Sequence, residues 1–303
     1  MTRSPSAYRG RFAPSPSGPL HFGSLVAALG SCLEARCRQG EWLVRMEDVD
    51  GPRTVPGAAD AILRSLEAYG FVWDGPVLWQ SQRHEAYAAA LARLQAAGLA
   101  YPCACSRKEI AEGHGGRSID GAPRYAGTCR SGLQPGQSPR AWRLRLPDRE
   151  VSFEDGLLGR VGHNLERDVG DIVLLRADGQ YAYQLAVVVD DAFQGVTHVV
   201  RGADLLDSTP RQIWLQQCLG VPTPAYVHLP LATNARGEKL SKQTRALALD
   251  DDRPVPALVD ALEFLGQRPP PALRAASRDE VWAWAVAHWN LALVPRCRAV
   301  SLE

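Results

Sequence analysis

The sequence predicts an α/β fold built on a doubly wound parallel sheet. Strand-like segments alternate with helical ones along most of the 303 residues, which is typical of parallel strands joined by crossover helices. A Pro- and Gly-rich turn separates the first strand from the first helix and favours a ligand site at the carboxyl end of that strand. We expect the main sheet at 1–100 and 171–245, a Gly-, Pro- and Cys-rich insertion at 101–170, and a short helical tail at 246–303.

Composition and charge restrict the class of protein. The 34 basic and 33 acidic residues give a formal net charge of +1, which argues against a general nucleic-acid-binding domain, because such domains are strongly basic. No apolar run approaches the length of a membrane span, and residues 1–9 are too short and polar a segment for a signal peptide. Seven cysteines at uneven spacing do not indicate a secreted disulfide framework. We therefore expect a cytoplasmic protein without a membrane partner, and a monomer.

The elements of the first half follow the alternation. A short strand at 8–13 precedes a long Ala- and Leu-rich helix at 25–38, and two more helices are predicted at 56–69 and 82–97. Each helix is followed by a glycine, which ends helices readily because it adopts left-handed backbone angles.

The second half combines strands with further helices. Ser208 is expected to cap a helix at 208–217, another helix is expected at 255–265, and Ser277 opens a capping box for the last one. The strands predicted in this half are at 142–146, 151–154, 172–176, 181–189 and 196–201.

The turn after the first strand is a candidate nucleotide site. Its glycines let the backbone approach a ligand, and the N–H groups and dipole at the start of the helix favour a bound phosphate. His21 lies where its ring can reach such a phosphate. The pattern differs from the Walker and dinucleotide motifs. The segment reads Arg11, Phe12, Ala13, Pro14, Ser15, Pro16, Ser17, Gly18, Pro19, Leu20, His21, Phe22, Gly23, Ser24.

A pair of lysines far along the chain complements this turn. Lys239 and Lys242 follow an apolar strand at 227–232 and a turn-like segment at 234–237. Lysine is a compact, flexible point charge, so two lysines on a loop suit a clamp on a polyphosphate. Such a pair alone is usually solvated surface, but together with the first turn it indicates one shared phosphate site.

The two motifs together resemble the His-Ile-Gly-His and Lys-Met-Ser-Lys-Ser signatures of class I aminoacyl-tRNA synthetases, and in detail those of the glutamyl branch. The resemblance spans 8–245 and includes the segments 45–50, 183–191 and 198–202. It implies a Rossmann-like catalytic domain of the class I synthetase type, and an ATP-dependent ligase that uses Mg²⁺ with ATP.

The resemblance also implies roles for individual residues. The catalytic residues would be His21, Lys239 and Lys242. The residues that bind ATP would be Pro14, Gly18, His21, Gly23, Ser24 and Lys242. Those that bind the substrate glutamate would be Arg11, Phe12, Ala13, Pro14, Ser15, Glu47, Tyr183 and Arg201.

Several of these roles have structural alternatives. Glu47 could contact the substrate ammonium group or form an ion pair with Arg45. Arg201 is a stronger candidate than Arg11 for the substrate's side-chain carboxylate, because an arginine that ends a buried strand requires an anion.

The predicted strand at 181–189 and its end carry three further residues with alternative roles. Tyr183 could close the amino-acid pocket, or it could pack like Tyr181 on the same face of the strand. Asp190 and Asp191 could hold a ribose, Mg²⁺ or a helix N-terminus, and the sequence does not select among these.

Three cysteines in the insertion predict one structural zinc ion. Cys103, Cys105 and Cys129 supply three thiolates, and a Gly-rich loop that cannot bury a core of its own needs such a cross-link. In the family that the sequence resembles, Tyr125 would be the fourth ligand, whereas His114 is chemically the commoner type. Three unrelated thiols are the alternative, because Cys-x-Cys is shorter than the common zinc spacings.

The tail at 246–303 is too short for the anticodon-binding domain of a glutamyl-tRNA synthetase. This combination resembles the short paralogues that activate glutamate without tRNA and attach it to the queuosine base of tRNA(Asp). The implied partners are ATP, L-glutamate and queuosine-containing tRNA(Asp). The alternatives are a truncated glutamyl-tRNA synthetase that charges tRNA(Glu), and a nucleotidyltransferase with the same His-x-Gly turn.

Overall fold

A parallel sheet forms the centre of the protein in the computed structural model, which describes residues 8–234 and 247–302. In chain order the strands are β1 (Arg9–Phe12), β2 (Glu41–Met46), β3 (Leu78–Trp79), β4 (Ala100–Cys103), β5 (Ala141–Leu144), β6 (Glu150–Asp155), β7 (Gly159–Asn164), β8 (Ile172–Leu175), β9 (His198–Gly202), β10 (Ala225–Leu229), β11 (Leu231–Thr233) and β12 (Ala299–Ser301). The structure confirms the strands predicted at 8–13, 142–146, 151–154, 172–176 and 196–201.

Two groups of strands make up this sheet. One has the order β1–β2–β3 with all neighbours parallel, and the other has the order β7–β6–β10–β9 with only β7 antiparallel to its neighbour. The groups meet where β1 lies beside β9, since the N–H of Thr197 donates to the carbonyl of Arg9 at 3.0 Å. The strand order reverses at this point, and ligands of open α/β sheets bind at the carboxyl ends of such strands.

Helices cover the sheet. In the described residues the α-helices are α1 (Phe22–Arg36), α2 (Ala58–Ala68), α3 (His84–Ala96), α4 (Arg107–Glu112), α5 (Tyr183–Phe193), α6 (Thr209–Leu219), α7 (Pro254–Phe264) and α8 (Arg278–His288). One hydrophobic core joins α1, α2, α7 and α8 to β1 and β2, and a second joins α3, α5 and α6 to β8. The structure confirms the helices predicted at 25–38, 56–69, 82–97, 208–217 and 255–265, and the capped helix after Ser277.

Helix α1 packs very closely on the sheet. A Cβ atom on Gly30 would lie 2.5 Å from Cδ1 of Leu229 on β10, which is closer than real Cβ contacts. Trp42 on β2 is fully buried, and its Nε1 donates to Ser31 Oγ at 3.0 Å. These contacts fix the N-terminus of α1 relative to the carboxyl edge of the sheet.

The segment predicted as a strand at 181–189 is helical instead. Helix α5 begins at Tyr183, while Tyr181 forms only an isolated bridge with Leu175, so the two tyrosines do not share the face of a strand. The prediction was wrong because a continuous apolar run carries no period that separates a strand from a buried helix. The run is buried at Leu185, Ala186, Val187 and Val188.

The insertion and the tail both join the rest of the chain. Strands β4, β5 and β8 form an antiparallel sheet in that order, so this sheet crosses both ends of the predicted insertion at 101–170. In the tail, β12, which the sequence did not predict, pairs in parallel with β11. The division of the chain into four parts stays a prediction. Across the ranges that the structure describes, no helix combines the length and the apolar character needed to cross a bilayer.

Candidate active site

A cleft of about 740 Å³ opens beside the N-terminus of α1, at the carboxyl ends of β1 and β10. Six residues of the predicted ATP and glutamate sets line it, namely Phe12, Pro14, Ser15, His21, Gly23 and Ser24. Ala13 and Gly18 belong to the same turn without lining the cleft, and Gly18 has a φ of 142°, which favours glycine. Arg53 and Asp204 also line the cleft, and no sequence pattern had singled them out.

His21 caps helix α1 with its side chain. Its Nδ1 accepts a hydrogen bond from the backbone N–H of Ser24 at 3.3 Å. With Nδ1 as the acceptor, the proton of the neutral ring is assigned to Nε2, so the ring is a potential donor to an anion. The first turn of α1 carries no acidic residue, so no carboxylate there competes with a phosphate for the positive end of the helix.

Lys239 and Lys242 lie outside the described residues, but both ends of their segment are described. Strand β11 lines the cleft just before it. After it, Ala248 forms a bridge with His21, and the N–H of Leu249 donates to the carbonyl of Leu20 at 3.0 Å. The chain therefore leaves and re-enters the described structure next to the cleft.

Arg11 and Arg45 form a buried cluster with two carboxylates. Asp191 Oδ1 lies 3.1 Å from Arg11 Nε and 2.8 Å from an Arg45 guanidinium nitrogen, and Glu47 lies 3.4 Å from Arg45. Burial disfavours the charged form of Asp191, but the two guanidinium groups outweigh it and lower the pKa of Asp191. Burial raises the pKa of Glu47 by more than Arg45 and Arg11 lower it. The ion pair with Arg45, the structural alternative for Glu47, is present.

Arg201, at the end of β9, is also buried but has neutral partners. Its Nε donates to His228 Nε2 at 3.1 Å, and one terminal nitrogen donates to Thr209 Oγ1 at 2.9 Å and to Gln212 Oε1 at 2.8 Å. The other terminal nitrogen approaches the Tyr183 hydroxyl at 3.5 Å. Burial raises the pKa of Tyr183 to about 12, so this hydroxyl is neutral. Within the described residues, Arg201 forms no salt bridge.

Asp190 and Asp191 lie within α5 rather than at the end of a strand. Asp190 accepts hydrogen bonds from Gln80 at 3.0 Å, from Arg83 at 2.6 Å and from Tyr87 at 2.6 Å. Both carboxylates are thus held by protein groups, and the roles suggested by a strand end lose their basis. No sequence pattern indicates these contacts, because the partners are about a hundred residues away along the chain.

The three cysteines of the insertion come together. The sulfurs of Cys103, Cys105 and Cys129 all lie within 4.8 Å of one another, and the Cys105–Cys129 distance is 3.6 Å. A tetrahedron of sulfurs at the usual zinc distance has edges of about 3.8 Å, so the spacing suits one zinc ion. The Tyr125 hydroxyl lies 3.5 Å and 3.8 Å from two of the sulfurs, whereas His114 is not part of the cluster.

Comparison with known proteins agrees with this geometry. The model of the family "tRNA synthetases class I (E and Q), catalytic domain" matches residues 7–284. A glutamyl-Q tRNA(Asp) synthetase from Dechloromonas aromatica is 66% identical over 98% of this chain and 99% of that protein. Another from Aromatoleum aromaticum is 60% identical over 95% of this chain and 91% of that protein.

Among solved structures, the glutamate-tRNA synthetase from Elizabethkingia anophelis is similar with a TM-score of 0.80 and 26% identity. The match covers 98% of this chain and 68% of that chain. It supports the class I synthetase type of α/β fold. By its match to the family model and its identity to these two relatives over nearly their whole lengths, this chain belongs to the class I glutamyl- and glutaminyl-tRNA synthetase family, and within it to the glutamyl-Q tRNA(Asp) synthetases.

Proposed function

We propose that this chain activates L-glutamate with ATP in the absence of tRNA, and transfers the glutamate to the queuosine base in the anticodon loop of tRNA(Asp). The proposal rests on one feature of the site in particular. Arg201 is a buried cation without a described counter-ion, and the next residue, Gly202, lines the cleft at the N-terminus of α1. The buried cation suits the anionic side chain of an amino acid, and the adjacent helix N-terminus suits the phosphates of a nucleotide.

In the first step the α-carboxylate of glutamate attacks the α-phosphorus of ATP. A bond forms between the carboxylate oxygen and phosphorus, and the bond to the bridging oxygen breaks, which gives glutamyl-adenylate and pyrophosphate. His21, the N-terminus of α1, Lys239 and Lys242 stabilise the charge on the leaving pyrophosphate, and Mg²⁺ arrives with ATP. Arg201 holds the side-chain carboxylate of glutamate, and Glu47 takes its ammonium group.

In the second step a hydroxyl of the cyclopentenediol of queuosine attacks the acyl carbonyl, and AMP leaves. This diol resembles the ribose diol that other synthetases acylate, so one adenylate chemistry serves both. Cys103, Cys105, Cys129 and Tyr125 would hold a zinc ion in the insertion, and its role there would be structural. The monomeric state and the cytoplasmic location expected from the sequence stay predictions.

The first test is pyrophosphate exchange with glutamate, measured with and without tRNA. Exchange should proceed with glutamate and ATP alone, and glutamine should be a poor substrate because Arg201 would then face a neutral amide. Exchange that begins only when tRNA(Glu) is added would contradict the proposal.

The second test compares tRNA(Asp) with and without queuosine as the acceptor of labelled glutamate. Only the modified tRNA should be labelled. The similarity to a glutamate-tRNA synthetase structure makes charging of tRNA(Glu) at its 3′ end the second candidate function. Labelling of tRNA(Glu), or equal labelling of the two forms of tRNA(Asp), would favour that candidate.

A further inference from the structure

Two buried polar side chains, His228 and Asp155, lie behind Arg201, and no sequence motif indicated them. His228 on β10 and Asp155 at the end of β6 both have side chains with no exposed surface. They lie 73 residues apart in the sequence, and His228 Nδ1 is 2.7 Å from Asp155 Oδ2. The other nitrogen of the same ring, Nε2, is 3.1 Å from Arg201 Nε. The three side chains therefore form a linear chain from carboxylate to imidazole to guanidinium.

The carboxylate end of this chain is fixed by the backbone. Asp155 Oδ1 accepts the N–H groups of Leu157 and Leu158, each at 3.0 Å, in the turn after β6. Burial raises the pKa of Asp155, but the bonds from His228 and from these amides outweigh it and lower that pKa. The carboxylate is therefore ionised at neutral pH, and it can only accept hydrogen bonds.

The state of the imidazole follows from the groups at its two nitrogens. Besides Arg201, the Thr209 hydroxyl lies 3.2 Å from His228 Nε2 and can donate to it. Arg201 Nε always carries a proton and can only donate, so His228 Nε2 must accept. Asp155 can only accept, so His228 Nδ1 must donate. The ring is thus neutral and holds its proton on Nδ1. Its pKa is lowered to about 4 by burial, against the effect of Asp155, which is consistent with a neutral ring.

Arg201 keeps one nitrogen that can donate hydrogen bonds to a ligand. Arg201 has five N–H groups. The Nε–H is used by His228, and the nitrogen that bonds Thr209 and Gln212 also approaches the Leu205 carbonyl at 3.4 Å. The remaining nitrogen has two N–H groups and, in the described residues, one long contact to Tyr183 at 3.5 Å. That nitrogen retains donor capacity beside Tyr183.

We propose that Asp155 and His228 are positioning residues that orient Arg201 for the carboxylate of the bound glutamate. The imidazole supplies an acceptor without a charge, so it fixes the guanidinium and leaves its positive charge for the ligand. A second carboxylate in the place of His228 would neutralise Arg201, as Asp191 does for Arg11. This inference rests on the proposed role of Arg201, and it adds the determinant of selectivity for glutamate over glutamine.

The test compares three variants in tRNA-independent pyrophosphate exchange. His228→Leu removes the acceptor, and the KM for glutamate should rise by about ten- to a hundredfold, as for loss of a hydrogen bond to a charged group. The KM for ATP should change little. His228→Gln restores an acceptor near Nε2 and should recover most of the affinity. Asp155→Asn keeps the shape of the side chain but no longer forces the proton of His228 onto Nδ1. His228 would then fix Arg201 less well, so the preference for glutamate over glutamine should fall.

A matched control is a second histidine–aspartate pair outside this chain of contacts. His163 Nε2 lies 3.2 Å from Asp207 Oδ1, and His163 is also buried. His163→Gln should leave the KM for glutamate unchanged. An unchanged KM in folded His228→Leu, or an equal change in His228→Leu and His228→Gln, would overturn the inference. Absence of exchange in the wild-type protein would instead refute the proposed function.

A measurement on the wild-type protein covers the case in which the variants do not fold. Nitrogen NMR of the histidine rings at neutral pH should show His228 with a protonated Nδ1 and a bare Nε2. A proton on Nε2 would place two donors against each other and would overturn the inference.

Discussion

The active site holds buried arginines in two places. Carboxylates neutralise the pair Arg11 and Arg45, but none contacts Arg201 among the described residues. Arg11 and Arg45 share Asp191, and Arg45 also pairs with Glu47. Arg201 is buried to the same degree but contacts only neutral groups among the described residues. A buried charge without a partner is strongly unfavourable. The carboxylates of Asp191 and Glu47 therefore neutralise the first site within the protein, whereas Arg201 is suited to bind an anionic ligand.

The largest expected effect is on stability, in the neutralised cluster. Arg45→Met would leave Glu47 buried without its partner and remove one of two cations from Asp191. The free energy of unfolding should fall by about 3–5 kcal/mol, measured by urea unfolding at pH 7. Arg201→Met is the matched control, since it removes a cation that no carboxylate neutralises, and it should lose less than half as much. Equal losses would show that the carboxylates around Arg45 add nothing to stability beyond what Arg201 and its neutral partners contribute.

The next largest effect is on the rate of activation, and it distinguishes Lys242, which acts on the phosphates, from Arg201, which binds glutamate. Lys242→Ala should lower the rate of glutamate activation by about a hundred- to a thousandfold, as for loss of one charge-stabilising donor. The KM for glutamate should change little. Lys108→Ala, on the exposed face of α4, is the control and should retain full activity. Near wild-type turnover of Lys242→Ala would mean that Lys242 is a surface residue.

Arg201→Met should act on binding instead of turnover. The kcat/KM for glutamate should fall by about a hundredfold, as for loss of one member of a buried charge pair, and mainly through the KM. Discrimination against glutamine should fall with it, because the pocket would no longer offer a cation. A variant that binds glutamate as well as the wild-type protein does would remove Arg201 from the substrate site.

The neutral state of the His228 ring should also appear in the pH dependence of stability. Burial lowers the pKa of His228 to about 4 in the folded state, against about 6.5 for an unfolded histidine. Between these values the unfolded state binds more protons, so stability is full above about pH 6.5 and falls as the pH decreases towards 4. Arg201, Asp155 and Asp204 are the charged groups that act on this ring.

This contribution should amount to about 2 kcal/mol between pH 7 and pH 5. It is measured as the difference in the free energy of unfolding at the two pH values. His228→Gln should reduce that difference by the same amount. An undiminished difference in this variant would show that His228 is charged in the folded state.

Changes in the cluster of Cys103, Cys105 and Cys129 should have the smallest effect on the stability of the main sheet. Here the situation of Arg201 is reversed, because several anionic thiolates require a cation. We expect about one zinc per chain in protein prepared without chelators. Cys105→Ser should lose the metal and make residues 101–130 more sensitive to proteases, while the main sheet stays folded. Cys37→Ala, at an exposed cysteine, should keep the metal. Metal analysis that finds no zinc would refute the site.

Local patterns sufficed for much of the site. The turn that contains His21, Gly23 and Ser24 was predicted from its glycines and from the start of a helix, and it lines the cleft as expected. The three cysteines were predicted to share one zinc ion because they lie in a Gly-rich loop that cannot bury a core of its own, and they do converge. In both cases the relevant groups are close in sequence or share one recognisable chemistry.

Other parts could not be predicted because their causes are not local. The apolar run of α5 has no period, so burial on the second core decided that it is a helix. The partners of Asp190 and Asp191 come from α3 and its preceding turn, from β1 and from β2. Nothing in the sequence near these aspartates distinguishes an ion pair from a ligand for Mg²⁺ or ribose.

The parallel α/β class, the turn at the start of α1 and the grouping of three cysteines were predictable from the sequence, because short-range chemistry dictates each of them, whereas the roles of the turn and of the lysine pair stay predictions. Which buried arginine has its charge neutralised by a carboxylate, and which has only neutral contacts, became visible in the folded structure alone. That distinction depends on side chains such as Asp191 and His228, which are brought to the site by the packing of distant strands and helices. The free energy of a buried charge depends on its partners in space, and for these two arginines the nearest partners in space are distant in sequence.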